Sequence, residues 1–431
     1  VAVFKCPPVL AGGHYRILQL LILVLVSQSG SFISLAQSQV STPVENMGAS
    51  ASLSLAVVLD SALTNAPLAQ SESNYRELAD THDALGNRLI SGRPSWQMSY
   101  IDDSLLDDYG LREMETGVSF NLWRRGERAD TALLGDKYDE QLNAWQDHLR
   151  LVVAGQVRNV LADLAEAEAM LEIARQASVD AERLVAITLS MESAGAAAQA
   201  DVLQARTQLL QQQQLELQAE AELGIAERRY SILTGLSIKP ADALSESIVS
   251  ARVLSAAHPT LKFLQSQVDI ASAGVALTRH QSNGRANMSV GVRRERGVRL
   301  QPFTDSFGVS LSLPFGSNPA TAASVSVART QQVDAEIRLL QTRRQLEGRL
   351  RELEREMTLA TDSLALGQER VAIASQRYEM SLSAFEVGES DLTQVVIAQQ
   401  QARQSERDLA SLTLDQQRLI SEYNQTIGVL P

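Results

Sequence analysis

Two long stretches of this chain carry the same signals in the same order, and that duplication limits the possible folds more than any other feature. Thr116–Trp123, TGVSFNLW, returns at Phe307–Phe315 as FGVSLSLPF, and Arg229–Leu236, RYSILTGL, returns at Glu422–Val429 as EYNQTIGV. The copies are offset by about 190 residues, far more than the period of a solenoid, so one large structural unit is present twice. Each unit reads helix, strand, strand, very long helix, long helix. The predicted fold is mainly α with a small β part.

Composition narrows the function. The net charge of −13 argues against a nucleic-acid partner. Aromatic residues make up only 4% of the chain, and Ala, Leu, Gln, Glu and Arg dominate, which favours long helices over a conventional globular core. The lone cysteine, Cys6, excludes a thiolate metal site beyond the leader. His14, His82, His148, His258 and His280 do not stand at the short helical spacing of a metal site, and surface or capping roles are expected for them. There is no phosphate-binding loop and no nucleophile–base set, so neither an enzyme nor a cofactor is expected.

At the N-terminus, Lys5 and Arg16 precede the apolar run Ile17–Val26, and Ser34-Leu35-Ala36 fits a small-x-small cleavage site. Residues 1–36 therefore read as a secretory signal peptide and 37–52 as an extended arm. No later segment reaches the length of a membrane helix, so a chain that crosses a bilayer must do so with strands.

The first unit is assigned to 53–240 and the second to 241–431. Helices are expected over Ser54–Leu89 and Ala251–Arg279, with Pro67 and Pro259 marking a break or a first turn. Two strands per unit follow, at 95–101 and 116–123, then at 287–293 and 307–315. Alternation with period two puts Trp96, Met98, Tyr100, Val118, Phe120, Leu122, Val290, Val309, Leu311 and Leu313 on one apolar face, opposite Ser and Gly. Four such strands cannot close a barrel alone, so the apolar set is assigned to lipid and the strands to a shared barrel. Long helices follow at 127–192 and 321–386, with apolar or small residues stepping by four and three from Leu350 through Phe385, the mark of supercoiled helices. Each is on the order of 100 Å long. Gly195 and Gly388 end them, and second helices run back over 199–234 and 391–426.

This plan resembles the outer-membrane efflux protein family, the TolC-like channels. The likeness rests on Ala62-Leu63-x-x-Ala66-Pro67-Leu68 and Ala257-His258-Pro259-x-Leu261, on Gly308–Phe315, on the two Gly tips, and on Tyr230-x-x-x-Thr234-Gly235 with Tyr423-x-x-x-x-Gly428. The Leu-Pro-Phe strand end and the Val-Gly-Glu tip look most like the branch serving heavy-metal and cation pumps. The resemblance implies a homotrimer with a shared twelve-stranded barrel in the outer membrane of a Gram-negative bacterium and a helical tube in the periplasm. It also implies a periplasmic adaptor and, through it, an inner-membrane pump that drives a passive channel. A periplasmic coiled-coil adaptor or structural protein without a pore is the alternative, disfavoured because no lipoyl-like strand set is present.

In relatives, acidic residues near the second tip narrow the pore, starting six residues past its glycine. Here those positions are Gln394 and Ile397, while the first unit has Asp201 at the matching place. Glu386, Glu389 and Asp391 supply carboxylates at the second tip instead, either as a cation-favouring ring or, for Glu389 and Asp391 near a helix start, as capping and solvated groups. Gly195 and Gly388 are the candidate adaptor contacts.

Overall fold

The structure is a computed structural model that describes residues 47–431 apart from residue 106 and residues 242–245, 250–252 and 317–318. The expected signal peptide, with Cys6 and His14, and most of the expected arm lie outside the described residues. In chain order the elements are β1 Gly48–Ser50, α1 Leu55–Asn65, a 3₁₀ turn Pro67–Gln70, α2 Ser71–Gly86, β2 Ser91–Asp102, β3 Arg112–Asn121, α3 Glu127–Ser193 and α4 Gln199–Thr234. Then come β4 Ile238–Pro240, α5 Pro259–Gln281, β5 Asn287–Arg296, β6 Thr304–Ser312, α6 Pro319–Glu386 and α7 Leu392–Ile427.

The helix expected over Ser54–Leu89 is broken. Pro67 lacks an N–H and holds Ala66 extended (φ −67°, ψ 122°), so α1 stops there and α2 starts after one 3₁₀ turn. Its counterpart begins at Pro259, not Ala251, because proline is favoured at the first helical position and His258 caps the helix. The His258 Nδ1 accepts from the Thr260 N–H at 3.2 Å, so the ring is neutral, and burial pushes its pKa down. His258 thus takes the expected capping role while buried, and His148 is half-buried, stacked on Phe263 at 5.2 Å.

α3 and α6 are 67 and 68 residues long, each about 100 Å. Each has two sets of neighbours along its length. Towards the sheet, α2 and α5 pack on α3, and α5 also packs on α6. Beyond the middle, α4 lies along α3 and α7 along α6. There the two hairpins join through α3 and α7, so the layer runs α4, α3, α7, α6, with α4 and α6 at its flanks. Arg418 crosses from α7 to Asp163 (3.0 Å) and Glu166 (2.7 Å) on α3, and Arg403 pairs with Asp180.

Where the neighbours change, a belt closes around the middle of α3. β1 pairs in parallel with β4, the Met47 N–H bonds Glu227, Lys239 pairs with Glu168, and the buried Tyr230 hydroxyl donates to the Ile238 carbonyl at 2.9 Å. Arg158 is the centre of this belt. Its guanidinium reaches Glu246 (3.0 Å), the Gln425 side-chain oxygen (2.6 Å) and the Val429 carbonyl (3.1 Å). One side chain thereby ties the first unit to both the beginning and the end of the second.

Arg158 and Glu246 are only 4% and 13% exposed, so Arg158→Ala strands a carboxylate in a desolvated site. The expected loss is about 3 kcal/mol in thermal or denaturant unfolding. Arg150→Ala, which removes a solvent-exposed pair with Asp60, should cost under about 1 kcal/mol.

Candidate functional site

The sheet runs β2-β3-β5-β6, antiparallel throughout, and its pairing sorts side chains strictly by face. One row across the strands is Trp96, Val118, Val290, Val309. Its neighbours are Phe120, Met288, Leu311 on one side and Met98, Thr116, Val292, Phe307 on the other. These side chains form one apolar face that stands largely open among the described residues: Trp96 is 68% and Phe307 70% exposed. Met114 and Phe307 extend the set expected from alternation. Leu122 and Leu313 fall just past the strand ends, where Pro314 cannot continue the β6 ladder.

The strands also run further from the helices than the alternation suggested, as far as Asp102, Arg112, Arg296 and Thr304, so the connecting loops are shorter. Those outer stretches are rich in charged residues, and charge masks a strand signal that is read from apolar alternation. At the other end, Pro94 sits at a register shift in β2, an edge strand where a missing N–H is tolerated.

The opposite face is small and polar. Ser95 bonds Ser119 (2.7 Å), Ser289 bonds Ser310 (2.8 Å), and Asn287 donates to Asn121 (3.1 Å). One row reads Gln97, Gly117, Gly291, Gly308, so three of its four positions have no side chain. A Cβ on Gly291 would lie 2.6 Å from the Thr116 carbonyl oxygen, and one on Gly117 would lie 2.7 Å from that of Val290. The close approach of β3 and β5 therefore requires glycine at both. β2 and β6 each have one unpaired edge.

At the far end of the helices the two tips are built alike. The Gly195 N–H bonds the Glu192 carbonyl and that of Ala196 bonds Met191; Gly388 and Glu389 do the same to Phe385 and Ala384. Both glycines have positive φ, 75° and 81°. The carboxylates differ in use. Asp391 caps α7 by accepting from the Gln394 N–H at 2.9 Å, while Asp201 accepts from the Ala198 N–H at 2.9 Å. Glu386 stands 3.9 Å from Arg183 across the hairpins, and Glu389, Gln394 and Ile397 are exposed.

The flanks carry a feature that sequence reading missed. Leu203, Leu210 and Leu217 on α4, and Leu366, Ile373 and Met380 on α6, are each between 58% and 68% exposed. They lie 8, 15 and 22 residues after Gly195 and 22, 15 and 8 before Gly388, so the two stripes sit at equal heights above the tips. The seven-residue spacing was visible in the sequence, but the seam formed by Leu350, Leu353 and Met357 obscured a second one on another side of α6. Among the described residues no helix is long and apolar enough to cross a membrane, and no cluster of potential metal ligands occurs.

No protein-family model and no curated protein matches the chain. Solved structures do. The chain is similar to CusC, a protein studied for folding and transmembrane channel formation, with a TM-score of 0.71 at 14% identity over 87% of this chain and 92% of that one. It is also similar to the outer membrane protein VceC of Vibrio cholerae (0.69, 14%, 87% and 96%). The Campylobacter jejuni CmeC outer membrane channel gives 0.68 at 16% identity over 87% and 85%. The fold of this chain is the fold of those channels, a predominantly helical subunit with a small sheet.

Gly291→Ala should force β3 and β5 apart and sharply reduce the folded material recovered. Gly308→Ala in the same row, where an added Cβ meets nothing within 4 Å, should leave recovery unchanged. Equal behaviour of the two variants would show that the glycine row does not govern strand approach.

Proposed function

We propose that the chain is one subunit of an outer-membrane exit duct that passively conducts a substrate handed on by a periplasmic adaptor and an inner-membrane pump. One observation carries this reading: a four-stranded sheet with an uncovered apolar face, a small polar face and two open edges, set at the end of helices about 100 Å long. An apolar outer face suits lipid, and the Ser and Gly face suits a water-filled lumen. Hydrocarbon does not tolerate open strand edges, so β6 of one copy must meet β2 of the next. Three copies give twelve strands, the number drawn from the likeness to TolC-like channels.

The flanks favour the same ring. The exposed α4 stripe of one copy and the α6 stripe of its neighbour match in height and spacing and run in opposite chain directions. They would pack head to tail around an axis, the contact type that closes rings. Purified protein is expected in the outer-membrane fraction as a detergent-stable oligomer that conducts ions in planar bilayers. A freely soluble monomer would sink the proposal. Leu210→Lys should give monomers of unchanged helix content by circular dichroism, because that side chain touches solvent in the single chain.

At the tips, Gly195 and Gly388 form the adaptor contact, and Asp201, Glu386, Glu389 and Asp391 repeat around the axis as a cation-favouring ring beside the uncharged Gln394 and Ile397. Glu389→Gln with Asp391→Asn removes charge while keeping a capping side chain. Single-channel recordings should then show a several-fold fall in cation over anion permeability; unchanged selectivity removes the ring.

A further inference from the structure

At the end of the sheet remote from the helices, the two faces carry opposite charge. On the polar face Glu113, Glu115 and Glu295 surround Arg293, which is held by Glu113 (2.8 Å) and Glu295 (2.7 Å). On the apolar face the last two rows are Tyr100, Met114, Arg294, Asp305 and then Asp102, Arg112, Arg296. Arg112 and Arg296 are directly opposite each other on adjacent strands. Like charges in that position are destabilising unless something between them compensates.

The carboxylates nearby do not suffice. Asp102 is committed to Arg112 (2.9 Å) and to the Tyr100 hydroxyl (2.8 Å), and Asp305 stands 3.6 Å from Arg294. Arg296 has the Gly110 carbonyl at 3.2 Å and the Phe303 ring at 4.9 Å, and no carboxylate partner among the described residues. Phe303 also lies under Arg294 at 5.1 Å, so one aromatic plate positions two guanidinium groups. Three arginines thus gather where the apolar face stops, pointing the same way as the residues assigned to lipid.

We propose that Arg112, Arg294 and Arg296 bind the phosphate of a lipid headgroup in the leaflet remote from the helices. This rests on the sheet spanning a membrane, as set out under the proposed function. Guanidinium groups suit the task because their fixed N–H forks match phosphate oxygens, and the charge-assisted bonds are strong at a membrane interface of low polarity. The lipid's acyl chains would then lie along Met98, Val292 and Phe307 in the rows below. The anion adds to Asp102 in offsetting the Arg112–Arg296 repulsion, supplying the negative partner that Arg296 lacks among the described residues.

The test uses the full-length purified oligomer in neutral detergent and a fluorescent disaccharide lipid in bisphosphorylated and dephosphorylated forms. Wild type is expected to bind the phosphorylated form about tenfold more tightly, a difference of about 1.4 kcal/mol. Arg112→Gln with Arg296→Gln should abolish the preference, while Arg293→Gln on the other face should keep it. Arg296→Gln alone, which breaks no ion pair, guards against misfolding of the double variant and should lose most of the preference. Equal binding of both lipids by wild type would overturn the inference, as would displacement of the lipid by millimolar inorganic phosphate, since the site would then hold free anion. Should wild type conduct ions yet show no phosphate preference, this inference alone falls; failure to enter bilayers would remove it together with the duct.

Discussion

Unpaired backbone groups at the edges of the sheet are the constraint from which the rest of the molecule follows. β2 and β6 each offer a row of N–H and C=O groups to one side, with an apolar face beside them. In water such edges invite uncontrolled association; in hydrocarbon each unmet group costs several kcal/mol. A four-stranded sheet of this kind is unfinished by construction. In the proposed duct, its completion by other copies of the chain and its immersion in lipid are one requirement seen from two directions. There the edge must be matched strand for strand, so assembly must be exact before insertion is favourable.

The helices meet a related difficulty in another way. A rod of about 100 Å cannot be covered by one partner, so α3 and α6 change neighbours halfway along. Every such change exposes helix ends, and helix ends leave carbonyls and N–H groups unmatched. The belt gathers these loose ends. Arg158 takes the Val429 carbonyl near the end of the second unit, Tyr230 takes the short β4 strand, and the His258 ring takes the Thr260 N–H at the start of α5. Gly428, with φ 89°, packs against that ring so closely that a Cβ would lie 2.6 Å from it. Polar groups buried here set where the units meet, while the apolar seams set how the helices run.

The order of elements was legible because each carried its own period: two for the strands, three and four for the long helices. The glycine tips were legible because positive φ leaves few alternatives to glycine. Contacts between distant segments were not. Nothing in the local sequence of Lys239 announces Glu168, or in Arg403 announces Asp180, since each pair joins faces that only the fold brings together. The parallel pairing of β1 with β4 was hidden for a different reason: three residues are too few for alternation to register. The tip carboxylates were read with two possible roles, and the capping role is visible for Asp391 and Asp201. A pore-lining role is not exclusive of it, because a cap uses one or two oxygen lone pairs and leaves the charge in place.

In the proposed ring, the matched stripes on α4 and α6 would also govern how neighbouring copies move. The most exposed large apolar side chains of each stripe recur every seventh residue, about 10 Å apart along the axis. At the three- and four-residue steps between them stand Arg206, Thr207, Gln213 and Gln214 on α4, and Glu369, Arg370, Gln376 and Arg377 on α6. A partial vertical slip would seat leucine against charge and gain nothing until a whole heptad had passed. Gliding along the axis is therefore stepped and costly, whereas tilting or swivelling about the rows keeps them engaged. Any widening of the passage would have to come from pivoting helices, with the subunits holding level.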